Sequence, residues 1–256
     1  MTLFVKPYIV LNEVARLFII HGICEHSGRY EKLAKRFNEE GISVITFDLR
    51  GHGKSEGKRG YVKHFSDFVD DVVSVINEYR NKDVKQFLLG HSMGGLIGHL
   101  YMVRNPRVDG YIVSGAPTDY LKKVKPLKII GYRYFGFIRM KNKFGRNTLT
   151  HNSDIEEQYL IDPLNLKKYT IRLGGEMFIR GVKHLNKNIY KHQLPILILH
   201  GKEDSIVPYE HSVRIHDLIL HKDKELILYD GMYHEILNEI ENEKVILDIL
   251  RWIREH

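Results

Sequence analysis

Lys85-Gln86-Phe87-Leu88-Leu89-Gly90-His91-Ser92-Met93-Gly94-Gly95-Leu96-Ile97-Gly98-His99-Leu100 passes from an apolar run through a glycine-bracketed serine into a helix-forming stretch. That order of strand, sharp turn and helix is what a nucleophile elbow requires. A serine on such a turn projects its hydroxyl clear of the sheet, and side chains at the flanking positions would strike the neighbouring strand or helix. Ser92 is the candidate nucleophile, and Gly90 and Gly94 make the room for it. A five-residue pattern of this kind also arises by chance, so the rest of the chain has to supply its partners.

Outward from the elbow, short apolar runs recur at Arg16 to Ile20, Ile42 to Phe47, Gly110 to Val113, Ile196 to Leu199 and Leu226 to Tyr229. Runs that are apolar on both faces suit buried strands. Helical patterns separate them at Tyr30 to Glu40, Phe65 to Arg80, Leu96 to Arg104, Tyr209 to His221 and Glu241 to Glu255. The alternation predicts an α/β chain: a mostly parallel sheet with helices on both faces, and function in loops beyond the carboxyl ends of the strands. Thr2 to Leu11 is expected to add one or two antiparallel strands. The alternation breaks between Pro117 and about Lys187. Residues 117–187 are therefore expected to form a cap on a core made of residues 1–116 and 188–256.

At 256 residues, 43% hydrophobic and 28% charged, the chain is long enough for one sizeable buried core and is not composed like a disordered one. Its one cysteine, Cys24, cannot form an internal disulfide, which fits a reducing, cytoplasmic setting. Neither a signal peptide nor a transmembrane helix is expected, because Lys6, Pro7, Asn12, Glu13 and Arg16 interrupt the apolar N-terminus. The net charge of +7 lies in one place. Between Tyr120 and Ser153 there is no acidic residue but nine basic ones, and the remainder of the chain holds 30 basic against 32 acidic residues. A nucleic-acid partner is thereby disfavoured. Within the insert, Leu127 to Met140 is rich in Ile, Tyr and Phe and flanked by basic residues. It reads either as an amphipathic cap helix packed on the core or as a surface that rests on an anionic membrane or micelle.

A serine hydroxyl needs a general base, and the base needs an orienting acid. Asp204 follows the run Ile196 to Leu199, and His234 follows Leu226 to Tyr229, so serine, acid and histidine stand in the order the elbow fold uses. A developing oxyanion needs amides fixed beforehand. Met93, at the start of the helix, offers one, and Ile23, in the loop after Arg16 to Ile20, offers the other. Arg50-Gly51-His52-Gly53 lacks the spacing of a phosphate or dinucleotide loop, and the histidines form no metal-binding pattern. No cofactor and no metal are expected.

Several blocks carry a resemblance: His21-Gly22-Ile23-Cys24-Glu25-His26-Ser27-Gly28-Arg29-Tyr30, Phe47-Asp48-Leu49-Arg50-Gly51-His52-Gly53-Lys54-Ser55-Glu56-Gly57, the elbow itself, His200-Gly201-Lys202-Glu203-Asp204 and Tyr233-His234. Together they resemble the monoacylglycerol lipase and lysophospholipase branch of the α/β-hydrolases. The resemblance implies the α/β-hydrolase fold with a helical cap, and hydrolysis of monoacylglycerols by Ser92, His234 and Asp204. It further implies that Glu25, Arg29, His91 and Tyr159 hold the glycerol end of the substrate, although a salt bridge or a loop-fixing hydrogen bond would equally explain each of them. Cys24 departs from the family pattern, which has a small glycine beside the oxyanion donor. Read from the residues alone, a lysophospholipase or broad carboxylesterase on the same triad stays open. So does a lipid- or partner-binding module of the same fold, against which the intact triad argues. Chain-length preference and oligomeric state are not legible in the sequence.

Overall fold

A computed structural model describes residues 1–121, 131–145 and 147–256. Among the described residues the main sheet has seven strands: β1 (Val5–Tyr8), β2 (Ala15–Ile20), β3 (Ile42–Phe47), β4 (Lys85–His91), β5 (Gly110–Ser114), then, after a separate antiparallel pair of β6 (Arg139–Lys141) and β7 (Lys168–Thr170), β8 (Ile196–Gly201) and β9 (Lys224–Tyr229). Its order is β1-β3-β2-β4-β5-β8-β9. Only β1 runs antiparallel, pairing Val5 with Phe47. The N-terminal segment thus contributes one antiparallel strand to the sheet. Between β3 and β4 the chain crosses from one side of β2 to the other, so the crevice where the connections diverge opens between β2 and β4. Open α/β sheets bind ligands at such a point.

The strands read as continuous apolar runs because helices cover both sheet faces. On β2, Phe18 and Ile20 face one cluster, with Phe68, Val72 and Ile76 of α2 (Phe65–Tyr79) and Leu96, Ile97 and Leu100 of α3 (Met93–Met102). Leu17 and Ile19 face the other, with Leu33, Ala34 and Phe37 of α1 (Glu31–Asn38) and Ile249, Trp252 and Ile253 of the C-terminal helix Asn242–Glu255. Each large apolar side chain withdrawn from water contributes about 1.5–3 kcal/mol before entropy is counted.

Inside the insert, α4 (Ser153–Ile161), the short α5 (Ile171–Gly175), a π-helical turn at Glu176–Gly181 and α6 (Val182–Asn188) follow one another around β7. Leu173, Met177, Val182 and Leu185 join the same cluster as α2 and α3. The core resumes with β8, α7 (Glu210–Leu218), β9 and α8, the helix Asn242–Glu255. The expected cap helix over Leu127 to Met140 does not form in its described part. Gly131 to Phe137 is a turn, followed by β6. Two glycines in six residues explain this, since Gly131 stands at φ +75°, outside helical space, and Gly136 disfavours a helix interior. Leu127 to Ile130 and Lys122, Lys123, Lys125 and Lys128 lie outside the described residues. Among the described residues no helix is long and apolar enough to cross a membrane.

Three buried histidines lie away from the elbow. His99 has no partner for either ring nitrogen among the described residues, and Nδ1 of His192 and Nε2 of His52 are likewise unpaired. Burial depresses all three, to about 3 for His52 and His99 and about 4 for His192, from an ordinary 6.5. The unfolded chain therefore binds more protons than the folded one below pH 6.5. Each site should cost about 2 kcal/mol of stability between pH 6.5 and pH 5. His234, whose affinity for a proton is raised, works against them but counts once. Urea unfolding at pH 7 and pH 5 is expected to show a marked loss of stability at the lower pH. A midpoint constant between these values would contradict it.

Candidate active site

Ser92 sits between β4 and α3 at φ +53° and ψ −119°, a conformation that L-residues rarely adopt. The turn is held by the Ser92 amide donating to the Ser114 carbonyl at 2.8 Å and the Leu96 amide donating to the Ser92 carbonyl at 3.1 Å. A Cβ on Gly90 would come within 2.6 Å of the Gly94 carbonyl oxygen, and one on Gly94 would strike the carbonyls of Ile20 and His21. The glycines of the elbow are thus required by backbone contact.

His234, in the loop after β9, places Nδ1 2.6 Å from Oδ2 of Asp204, in the loop after β8. Both are buried. Oδ1 of Asp204 accepts the amides of Ile206 and Val207 at 2.8 and 2.9 Å. Burial alone would raise the Asp204 carboxyl, but the neighbouring His234 and the hydrogen bonds from His200 and His234 hold it far below the usual range. Burial likewise works against charge on His234. The Asp204 carboxylate outweighs it and lifts the imidazole above 6.5.

Ser92 and His234 line one small cavity of about 20 Å³ with Gly22, Ile23, Glu25, His91 and Tyr159. Six of the nine residues singled out in the sequence therefore meet around it: Ile23, Glu25, His91, Ser92, Tyr159 and His234. Asp204 stands behind His234, Met93 is buried at the start of α3, and Arg29 lies behind Glu25. Among the described residues, the backbone N–H groups of Ile23 and Met93 donate to no protein acceptor. They are available to a developing oxyanion beside Ser92.

The polar end of the cavity is an ion cluster. Glu25 accepts the Gly22 amide, the Tyr30 hydroxyl at 2.9 Å and the Arg29 guanidinium at 2.6 Å. Arg29 also donates through two nitrogens, each at 2.7 Å, to the two carboxylate oxygens of Glu235. Burial opposes the charge on both carboxylates, and Arg29 nonetheless keeps both below the ordinary glutamate value. The guanidinium lies 4.8 Å from the centroid of the Tyr159 ring, and the Tyr159 hydroxyl accepts from the Asn142 side-chain amide at 2.7 Å. His91, its ring 4.8 Å from that of His234, is pushed down to about 4 by burial and by His234, so it is neutral near pH 7.

Two residues of this neighbourhood escaped the sequence reading. Glu235, which lines the cavity, directly follows His234, but nothing in one chain shows that it would meet Arg29. His200, in the block ending at Asp204, lies 3.0 Å from Oδ2 of that residue. Cys24 adopts φ +65°, the left-handed region in which glycine is unstrained. It is fully buried, and burial pushes its thiol well up, so it is no ready thiolate. In the loop after β3, Asp48 accepts the amides of Ser27 and Lys54, each at 2.7 Å, which gives that glycine-rich turn a structural use. No group of three or more His, Cys, Asp or Glu among the described residues converges to hold a metal.

The family model described as serine aminopeptidase, S33, matches residues 12–241. The monoacylglycerol lipase of Mycolicibacterium smegmatis is 30% identical over 93% of this chain and 87% of its own length. Phospholipase YtpA of Bacillus subtilis is 29% identical over 91% of this chain and 92% of its own. The crystal structure of Paleococcus ferrophilus monoacylglycerol lipase superposes with a TM-score of 0.89 at 30% identity, covering 99% of this chain and 98% of that one.

Proposed function

We propose that this chain, which belongs to the α/β-hydrolase family described as serine aminopeptidase, S33, hydrolyses monoacylglycerols to glycerol and fatty acid. Ser92 Oγ attacks the ester carbonyl while His234 Nε2 takes its proton. Asp204 holds the other ring nitrogen, and the Ile23 and Met93 amides receive the oxyanion. Collapse of the tetrahedral intermediate expels glycerol, which takes the proton from His234, and leaves an acyl-Ser92 that water cleaves by the same steps. The observation that carries this reading is Ser92 on a left-handed elbow, in one cavity with a histidine bonded to a buried aspartate at 2.6 Å.

The choice of a glycerol ester is supported by what stands beside Ser92. Glu25, His91 and Tyr159 bring acceptors and donors to the lining of the cavity, suited to the hydroxyls of a small polyol. The relatives named as monoacylglycerol lipases support the same choice. The phospholipase relative keeps lysophospholipid as the second reading. The cap, proposed here as the cover of the acyl side, also exposes Tyr134 (85%) and Phe137 (72%) near Arg133 and Arg139. That combination suits peripheral contact with anionic lipid.

The test is kcat/KM for monoacylglycerol, diacylglycerol, lysophosphatidylcholine and short aryl esters, with substrate presented in neutral and in anionic micelles at low and high salt. Monoacylglycerol is expected to lead by at least about tenfold, as polar groups built for two hydroxyls reject alcohols lacking them. Anionic micelles are expected to help only at low salt. Equal rates on all four substrates would remove the glycerol assignment, and indifference to micelle charge would remove the lipid contact.

A further inference from the structure

Asp204 Oδ2 serves two histidines. It takes His234 Nδ1 at 2.6 Å and lies 3.0 Å from Nε2 of His200. The same nitrogen of His200 is also 3.0 Å from the Val207 carbonyl oxygen. A ring nitrogen flanked by two acceptors must carry hydrogen, so Nε2 donates to both. Nδ1 is then left to accept from the Ser212 hydroxyl on α7, at 2.7 Å. The neighbours fix the tautomer. The side chains of His200 and Asp204 are both fully buried, so no bulk water competes for these bonds.

We propose that His200 is a positioning residue of the reaction: its Nε2–H, fixed by the Asp204 and Val207 acceptors, holds Asp204 in place and takes a share of the Oδ2 charge that would otherwise go wholly to His234. The inference rests on the triad proposed above. A carboxylate oxygen that serves two donors binds each less strongly than it would bind one alone. With the His200 donor gone, Asp204 holds the His234 imidazolium more tightly, and the base keeps its proton to higher pH. His234 is faced in addition by His91, Glu25 and Glu235, and His200 by His211 on α7. These groups remain in place when His200 alone is changed.

Hydrolysis needs His234 neutral, so kcat/KM falls on the acid side with a midpoint that lies above 6.5 in the native enzyme. In His200→Leu that midpoint is expected to move up by about half a pH unit or more. The plateau kcat should fall about tenfold, the worth of one buried hydrogen bond to a charged group, with KM within about threefold. His200→Gln, whose amide nitrogen restores a donor near Nε2, should recover most of both. Packing alone would lower activity at every pH without moving the midpoint. A folded His200→Leu whose midpoint is unmoved or lower overturns the proposal, and so does a Gln variant indistinguishable from Leu. Should His200→Leu fail to fold, His200→Met, which likewise lacks a donor, takes its place: the midpoint is expected to rise, and one left unchanged in that variant overturns the idea. Titration of the His234 imidazole by NMR, assigned with His234→Gln, gives the same shift without substrate. An enzyme that cleaves no ester would therefore sink the proposed function while leaving the question of His200 decidable.

Discussion

Ser92→Ala is expected to lower kcat for ester hydrolysis by about 10⁴–10⁶-fold, the range that loss of a serine nucleophile carries in triad enzymes. Labelling by a fluorophosphonate should vanish with it. Stability should hardly change, because alanine keeps the Cβ and with it the strain of φ +53°. Ser92→Gly should be equally inactive but more stable than the native chain by about 1 kcal/mol or more, since glycine adopts that conformation without penalty. The pair separates the two properties of the position. Activity in folded Ser92→Ala above background would end the proposed mechanism, whereas a glycine variant no more stable than the alanine one would show that the elbow stores no strain.

That strain explains why the elbow could be read from sequence at all. Backbone contacts at Gly90 and Gly94 leave no room for a Cβ, so the local pattern is dictated by local geometry. The strands were legible for a related reason: β2 to β5 and β8 are buried on both faces because helices cover both, and these strands and the half-buried edge strand β9 each begin and end within about two residues of the predicted apolar run. Ser92, Asp204 and His234 could be ordered because each falls just beyond the end of a strand. The cap resisted. Between residues 131 and 140 its apolar residues are mostly aromatic and spaced by Gly131 and Gly136, and the choice between a turn, a strand and a helix depends on contacts such as β6 with β7, between residues 139–141 and 168–170. Long-range polar partners resisted as well. Arg29 meets Glu235 across 206 positions, and no pattern in a single chain shows such a pairing.

Arg29→Met is expected to destabilise the fold by about 3–5 kcal/mol, the cost of stranding a buried charge by removing its partner. Here two carboxylates are stranded, since Glu25 and Glu235 are both buried and both bind the guanidinium. The pH dependence should change sign. In the native protein both glutamates are held below the ordinary value, so their contribution to stability is present above about pH 4.5 and lost as pH falls. Without Arg29, burial dominates and raises both folded values above 4.5, so the variant's deficit is smallest in acid and grows as pH rises through those raised values. The effects of His52, His99 and His192, which lie away from this cluster, are common to both proteins and cancel in the difference. Arg29→Lys should fall between, because an ammonium cannot satisfy Glu235 through two parallel bonds and Glu25 at once. Urea unfolding of the three proteins from pH 5.5 to 8.5 measures this directly. A deficit for Arg29→Met that is under about 1 kcal/mol, or that stays constant with pH, would mean that the glutamates find other partners, and the polar end of the cavity would then owe its geometry to something other than Arg29.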